Sequence, residues 1–80
     1  MLRLNYKKGN TIETKFFDTV TDGYKWALEN VVTQGDREYY YECCGKTFEQ
    51  IGQELASKNP SLLTIVMKNA MENVKYVDIE

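Results

Sequence analysis

The fold is decided by the stretch LRLNYKKGNTIETKFF, residues 2–17, in which apolar and polar side chains alternate on either side of Gly9-Asn10. Alternation with a period of two residues is typical of a strand that is buried on one face. A Gly-Asn pair between two such runs indicates a turn. The sequence therefore predicts a β-hairpin over residues 1–17.

The pairing of the two strands depends on the length of the loop between them. A two-residue loop places Leu4 opposite Lys15, whereas a three-residue loop places Leu2 opposite Phe16. A shift of one residue turns every side chain of a strand to the other face, so only one register gathers the apolar side chains together. The three-residue loop does so, and we expect that register.

A helix is predicted after the hairpin, over about residues 20–34. Its apolar residues recur at helical spacing and form one stripe: Val20, Tyr24, Ala27, Leu28 and Val31. Gly35 stands where a C-cap glycine is common. Trp26 falls outside this stripe, on the opposite side of a helix that turns by about 100° per residue.

Residues 37–44 contain three consecutive tyrosines, which favour a pleated surface, and they are predicted to form a third strand. Alternation gives this strand a face that is expected to be buried, with Tyr39, Tyr41 and Cys43. The other face contains two glutamates and is expected to be wet, with Glu38, Tyr40, Glu42 and Cys44.

Two helices and a short strand are predicted in the last part of the chain. Thr47 and Gln50 form the capping-box pattern of a helix start, and residues 47–74 have the apolar spacing of a helical hairpin. Residues 75–79 are expected to form a terminal strand, paired either within the chain or between copies. The predicted fold class is α+β, a small single domain of order β-β-α-β-α-α-β with a mostly antiparallel sheet covered by helices.

The composition argues against several classes of function. The chain has 80 residues, a formal net charge of −2 and no histidine. Histidine is the commonest general base and a common metal ligand, so we expect no enzyme, no cofactor and no metal site. The N-terminus lacks an apolar signal segment, and no apolar run approaches the ~20 residues that span a bilayer. A cytoplasmic protein without membrane contact is therefore expected.

Cys43 and Cys44 are adjacent in the sequence. Zinc requires about four ligands, so two cysteines would form a site only across a homodimer, and a thiol-based redox role is the related alternative. A strand turns neighbouring side chains to opposite faces. Free cysteine usually packs as a small buried hydrophobe, which suits Cys43, and Cys44 on the wet face is the candidate for a modifiable thiol.

Residues 47–74, TFEQIGQELASKNPSLLTIVMKNAMENV, resemble the helix-turn-helix of sigma-factor region 4 and related regulators. The matching positions are capping and core positions of two helices: Thr47, Ile51, Gly52 and Leu55, then Leu63, Val66, Ala70, Met71 and Val74. The resemblance implies a DNA-binding regulator whose second helix is the recognition helix.

The charge of this segment argues against direct nucleic-acid binding. Residues 47–75 contain three lysines and three glutamates, whereas each DNA phosphate that a protein neutralises requires a cation. The outward face of the second helix is apolar at its centre, at Leu62 and Ile65. A helix that reads a groove carries Arg, Asn or Gln at such positions.

Four apolar side chains have no predicted place in the core: Trp26, Tyr40, Leu62 and Ile65. Trp and Tyr dominate protein interfaces, so this set is the candidate partner-binding site, with a contact inside the monomer as the alternative for Trp26. The leading hypothesis is a small non-enzymatic protein-binding domain, an adaptor or inhibitor, with a homodimer also open. A short acidic chain rich in Lys, Asn, Ile and Tyr suits a phage or mobile-element accessory protein that blocks host nucleic-acid machinery.

Overall fold

The computed structural model describes residues 1–79, which form an antiparallel sheet of three strands and four helices. The strands are β1 (Leu2–Lys8), β2 (Thr11–Phe17) and β3 (Val74–Ile79). The helices are α1 (Val20–Asn30), α2 (Gln34–Cys44), α3 (Phe48–Lys58) and α4 (Leu62–Ala70). The α+β class is confirmed, although the order is β-β-α-α-α-α-β. Across residues 1–79, no helix is long and apolar enough to cross a membrane.

β1 and β2 form the predicted hairpin, but the expected three-residue loop is wrong. Leu4 lies opposite Lys15 across a two-residue loop. Gly9 has a φ of 62°, the positive value that such a tight turn requires at its first central position. The expected register assumed that the apolar residues of β2 enter the core, whereas Ile12 and Phe16 are exposed.

β3 pairs antiparallel with β1, so the terminal strand predicted over residues 75–79 lies within the chain's own sheet. The strand order is β2-β1-β3, which makes β1 the central strand. Three alternate side chains of β1 are buried under the helices: Leu2, Leu4 and Tyr6. Central position and alternation together make β1 the floor of the core.

The core lies between β1 and the helices α1, α3 and α4. Tyr24, Phe48, Leu63 and Met67 are almost completely buried there. The Tyr24 hydroxyl donates to the Phe48 carbonyl oxygen at 2.7 Å, so the polar end of the buried ring has a partner. Burial raises the pKa of Tyr24 well above its ordinary value of about 10.

Threonine side chains cap the first three helices. Thr19, Thr33 and Thr47 accept hydrogen bonds from backbone N–H groups in the first turns of α1, α2 and α3. The capping box predicted for Thr47 and Gln50 is confirmed. Each such bond satisfies a backbone donor that the helix itself leaves free, which fixes the residue at which the helix begins.

The strand predicted over residues 37–44 is wrong, because these residues belong to α2. Thr33 and Asp36 form a capping box at its start, and Gly45, with a φ of 72°, is its left-handed C-cap. The strand preference of tyrosine is weak and depends on packing, so the caps outweigh it. The first helix, predicted over about 20–34, therefore ends at Asn30, and Gly35 lies inside α2.

α2 lies at the periphery of the helical layer, and none of its eleven residues is buried. The Arg37 guanidinium joins it to two helices, donating to the Leu28 carbonyl oxygen at 2.9 Å and to Glu49 Oε1 at 2.6 Å. The hydrogen bond from Arg37 lowers the pKa of Glu49 below its ordinary value. These polar contacts, together with the stacking of the Tyr40 ring on Phe48, hold α2 in place although none of its residues is fully buried.

Candidate functional site

One face of the sheet is covered by helices, and the other face is turned to solvent over residues 1–79. The β1 side chains that alternate with the buried ones lie on this second face. Residues directly opposite each other in an antiparallel pair share a face, so their partners on β2 and β3 lie there too. We call it the open face, and it consists of Arg3, Asn5, Lys7, Ile12, Thr14, Phe16, Tyr76 and Asp78.

The open face exposes three large apolar side chains. Ile12 is 58% exposed, Phe16 53% and Tyr76 40%. Single exposed apolar residues are common on protein surfaces, but several on one rigid face are typical of an interaction site. The open face is therefore the candidate functional site.

Arg3 lies between the outer strands of the open face and is held in place by β3. Its guanidinium carbon lies 5.2 Å from the centre of the Tyr76 ring. The guanidinium also donates to the Tyr76 hydroxyl at 3.2 Å and to Asp78 Oδ2 at 3.3 Å. An arginine fixed over an aromatic ring loses less side-chain entropy when it binds a further group.

Charge is divided unevenly along the chain. Residues 1–17 contain four cationic side chains and one carboxylate, whereas residues 18–44 contain two cations and six carboxylates. The hairpin, including Arg3 and Lys7 of the open face, is therefore basic, and the segment that forms α1 and α2 is acidic. The small net charge conceals this separation, which would steer a charged partner toward one side of the molecule.

Trp26, which lies outside the core stripe of α1, packs against the hairpin. The centroid of its ring is 4.9 Å from that of Tyr6 and 5.6 Å from that of Phe17. Lys15 Nζ lies 4.7 Å from the centre of the Trp26 ring. The intramolecular contact weighed as the alternative for Trp26 is thus present, because α1 packs against helices on one side and the hairpin on another.

The other three candidate partner residues lie on α2 and α4. Tyr40 is half-buried, and its ring stacks on that of Phe48 with centroids 4.5 Å apart. Leu62 and Ile65 are exposed on α4, at 40% and 53%. The four residues thus lie on three different helices, and their role in partner binding stays a prediction.

Cys43 and Cys44 are both exposed in the last turn of α2. The expectation that Cys43 packs on a buried face is wrong, because the alternation of a strand does not apply to a helix. Tyr39 and Tyr41, expected on the same buried face, are also exposed. A hydrogen bond with Cys43 raises the pKa of Tyr39, one helical turn earlier. Cys44 as a modifiable thiol stays a prediction.

In the described part of the chain, no three side chains among Cys, Asp and Glu are placed to hold a metal ion together. A zinc site at the two cysteines would need further ligands from a second copy. The dimeric metal site is therefore an alternative that depends on an assembly rather than on this chain alone.

α3 and α4 form the predicted helical hairpin, joined by residues 59–61. Leu63 and Met67 face the core, and Val66 is half-buried. The nine residues of α4 include one cation, Lys68. Since groove readers rely on several cations and polar side chains, the outward face of α4 is poorly suited to DNA.

Ile12 and Phe16 are the site residues that sequence reasoning places in the core and the structure places on the surface. The signal that identifies them is the Gly9-Asn10 pair. A glycine at the first central position satisfies a two-residue turn, and that turn pairs both residues with the polar face of β1.

No protein-family model matches this chain, and no curated protein or solved structure matches it significantly either. The geometry and charge of the described residues are therefore the basis for assigning a function. Among them, the open face combines exposed apolar side chains with a fixed arginine on a basic hairpin.

Proposed function

We propose that this chain is a small non-enzymatic protein-binding domain, an adaptor or inhibitor, that docks a protein partner on its open face. The observation that carries the proposal is the exposure of Ile12, Phe16 and Tyr76 on a sheet whose other face is packed. The sheet holds the backbone beneath these side chains in position, so little backbone entropy is lost when a partner covers them.

The chemistry of the open face suits a protein surface. Aromatic residues and arginine are enriched in protein interfaces and often dominate their affinity. Arg3 is oriented by Tyr76 and Asp78, and Lys7 lies four residues further along β1 on the same face. A partner surface that combines apolar side chains with Asp or Glu would complement this face.

Tyr76→Ser tests the proposal because it removes an exposed ring without opening the core. The partner is captured from the source cells with the wild-type chain, purified, and titrated by calorimetry. Its affinity should fall at least about tenfold for Tyr76→Ser, as for truncation of an interface anchor. The matched control is Ile65→Ser on α4, another exposed apolar residue, which should bind like the wild type.

The reverse result would contradict the open face. A partner that binds Tyr76→Ser normally and loses affinity for Ile65→Ser would place the binding surface on α4, with Leu62 and Ile65. The identity of the captured protein also tests the narrower hypothesis, inhibition of host nucleic-acid machinery by a phage-like accessory protein.

The alternative function is a helix-turn-helix DNA-binding regulator that uses residues 47–74. It is favoured by one observation, the close succession of α3 and α4 across residues 59–61. Titration of random duplex DNA at increasing salt separates the two functions. A steep loss of affinity with salt supports the regulator, and an absence of binding at low salt contradicts it.

A further inference from the structure

The outer edge of β2 has no neighbouring strand within residues 1–79, because the strand order is β2-β1-β3. Lys8 and Thr11, which flank the two-residue loop, form a hydrogen-bonded pair. From Thr11 onward, every second residue of β2 therefore points its N–H and C=O groups toward β1. Ile12, Thr14 and Phe16 therefore point theirs outward. In agreement, the N–H of Lys7, the cross-strand partner of Ile12, donates toward β3, to the Asn73 carbonyl oxygen at 2.7 Å.

β2 has few of the features that protect an edge strand. It is seven residues long, contains no proline and pairs with β1 without a register shift, whereas the pairing of β1 with β3 is irregular. Proteins block unwanted pairing at edges with prolines, bulges or charged side chains. On β2 the charged side chains are Glu13 and Lys15, and any strand that pairs here must meet both.

The sequence of β2 is complementary to itself. Residues 12–16 read Ile-Glu-Thr-Lys-Phe. An antiparallel pair of β2 strands centred on Thr14 places Glu13 opposite Lys15 of the second copy, and Ile12 opposite Phe16. We propose that two copies of this chain associate through β2 in this register and form one continuous sheet.

The two charges select this register. The outward-pointing residues must pair with one another, so the register can change only in steps of two residues. A shift of two residues in one direction places Glu13 opposite Glu13 of the second copy. A shift of two residues in the other direction places Lys15 opposite Lys15 of the second copy. Like charges directly opposite destabilise a strand pair. The register centred on Thr14 instead forms a Glu–Lys pair on each side of the twofold axis.

The pairing is compatible with the contacts that hold β2 in the monomer. Glu13 accepts a hydrogen bond from the Tyr6 hydroxyl at 3.3 Å, and Lys15 Nζ lies over the Trp26 ring. Both charges thus lie on the helix-covered side of the edge. Across the new pair they occupy non-hydrogen-bonded positions, where opposing side chains approach most closely. Their attraction therefore acts where it is strongest.

A second copy is the occupant that these charges specify. A foreign strand needs a cation opposite Glu13 and an anion opposite Lys15, whereas a second copy supplies both by symmetry. The association goes beyond the proposed function, because Tyr76 lies on β3, at the other edge of the sheet. Ile12 and Phe16 pair across the new interface, whereas Arg3 and Tyr76 lie on β1 and β3 and stay accessible to a protein partner in the monomer and in the dimer.

Thr14→Pro tests the edge pairing. It removes the outward N–H at the centre of the interface, whereas the backbone hydrogen bonds between β2 and β1 involve other residues. The Thr14 hydroxyl, which donates to Asn5 Oδ1 on β1, is lost in both Thr14→Pro and the control described next. Thr14→Ala, the matched control, loses the hydroxyl but keeps the N–H. By sedimentation equilibrium, the wild type and Thr14→Ala should dimerise with similar affinity, and the dimer Kd of Thr14→Pro should be at least about tenfold higher.

An exchange of charges gives a second test with an unchanged backbone. Glu13→Lys or Lys15→Glu alone places like charges opposite each other on both sides of the axis, so the dimer Kd should rise about tenfold. The double variant E13K/K15E restores opposite charges and should bring the Kd back toward the wild-type value. Far-UV circular dichroism confirms that each variant is folded.

Three results would overturn the proposal. They are a wild type that is monomeric at millimolar concentration, a folded Thr14→Pro variant that dimerises like the wild type, and a double charge variant that dimerises no better than the single ones. None of them affects the proposed function, because the effect of Tyr76→Ser on partner affinity is measured independently of dimerisation.

Discussion

Gly52 lies where α3 approaches α1, and the Tyr24 ring occupies the space that a side chain would need. A Cβ added at Gly52 would lie 2.7 Å from Tyr24 Cε1. The ring is buried and its hydroxyl donates to the Phe48 carbonyl oxygen, so moving the ring aside would disturb that hydrogen bond. A glycine inside a helix predicts such a close approach, and the contact explains why glycine is needed here.

Gly52→Ala should lower the free energy of unfolding by about 1 kcal/mol. Overpacking costs about 1–3 kcal/mol, and the middle of that range exceeds the gain of about 1 kcal/mol in helix propensity. Urea unfolding measures the change. The matched control is Gly35→Ala in α2, where the new Cβ would meet only Thr33 Oγ1, at 3.7 Å. That control should be as stable as the wild type or more so, and a stabilised Gly52→Ala would refute the packing argument.

Tyr24 links stability to alkaline pH. Burial raises the pKa of Tyr24 in the folded chain, whereas the unfolded chain keeps the ordinary value of about 10. The unfolded state therefore loses the phenol proton first. The stability that depends on neutral Tyr24 is complete below about pH 10 and declines as the pH rises above it.

Tyr24→Phe should flatten this alkaline decline. At neutral pH the variant should be less stable than the wild type by about 1 kcal/mol, because it lacks the hydrogen bond to the Phe48 carbonyl oxygen. Between neutral pH and about pH 11, the free energy of unfolding should fall less for the variant than for the wild type. The variant should keep part of the alkaline decline in stability, because burial also raises the pKa values of Tyr6 and Tyr40. Urea unfolding at several pH values across this range measures the decline. An equal fall in the free energy of unfolding for the wild type and the variant would exclude Tyr24 as its cause.

At the scale of elements, α2 shows what periodicity can and cannot reveal. β1, α1 and the α3–α4 pair each bury one face, and their apolar spacing predicts them. α2 buries none of its residues, so it has no apolar stripe to detect. Only its ends carry a signal, the Thr33–Asp36 capping box and Gly45. Three tyrosines in a row favour a strand on propensity alone, and propensity yields to caps and tertiary contacts.

Arg37→Ala should loosen α2 selectively. Arg37 bonds the Leu28 carbonyl oxygen on α1 and Glu49 on α3, so its loss removes both links. Hydrogen exchange of the amides in residues 34–44 should accelerate about tenfold, the equivalent of one to two hydrogen bonds, while α1 exchanges as before. Mass spectrometry of the exchanged peptides measures this.

Lys46→Ala is the control for this prediction. It removes the same charge and an ion pair with Glu54 of 2.9 Å, but that pair is exposed and does not reach α1. Exposed ion pairs contribute little to stability, so α2 should exchange at the wild-type rate. Equal acceleration by both variants would mean that net charge, rather than the Arg37 link, controls α2.

At the scale of the whole molecule, contacts between elements decide what the surface shows. Alternation correctly predicts which face of β1 is buried, but the register of β2 follows from the turn, and it moves Ile12 and Phe16 to the open face. A helical wheel describes one helix and omits its neighbours. For this reason Trp26 is predicted to be outside the core, although the hairpin packs against its ring.

The most direct measurement of the central claim locates the partner on the molecule. Backbone amide NMR spectra of the isotopically labelled chain are recorded with increasing amounts of the purified partner. If the open face is the binding surface, the amide signals of Arg3, Asn5 and Tyr76 should shift while those of α4 stay in place. Shifts confined to α4, with the sheet unchanged, would contradict the claim.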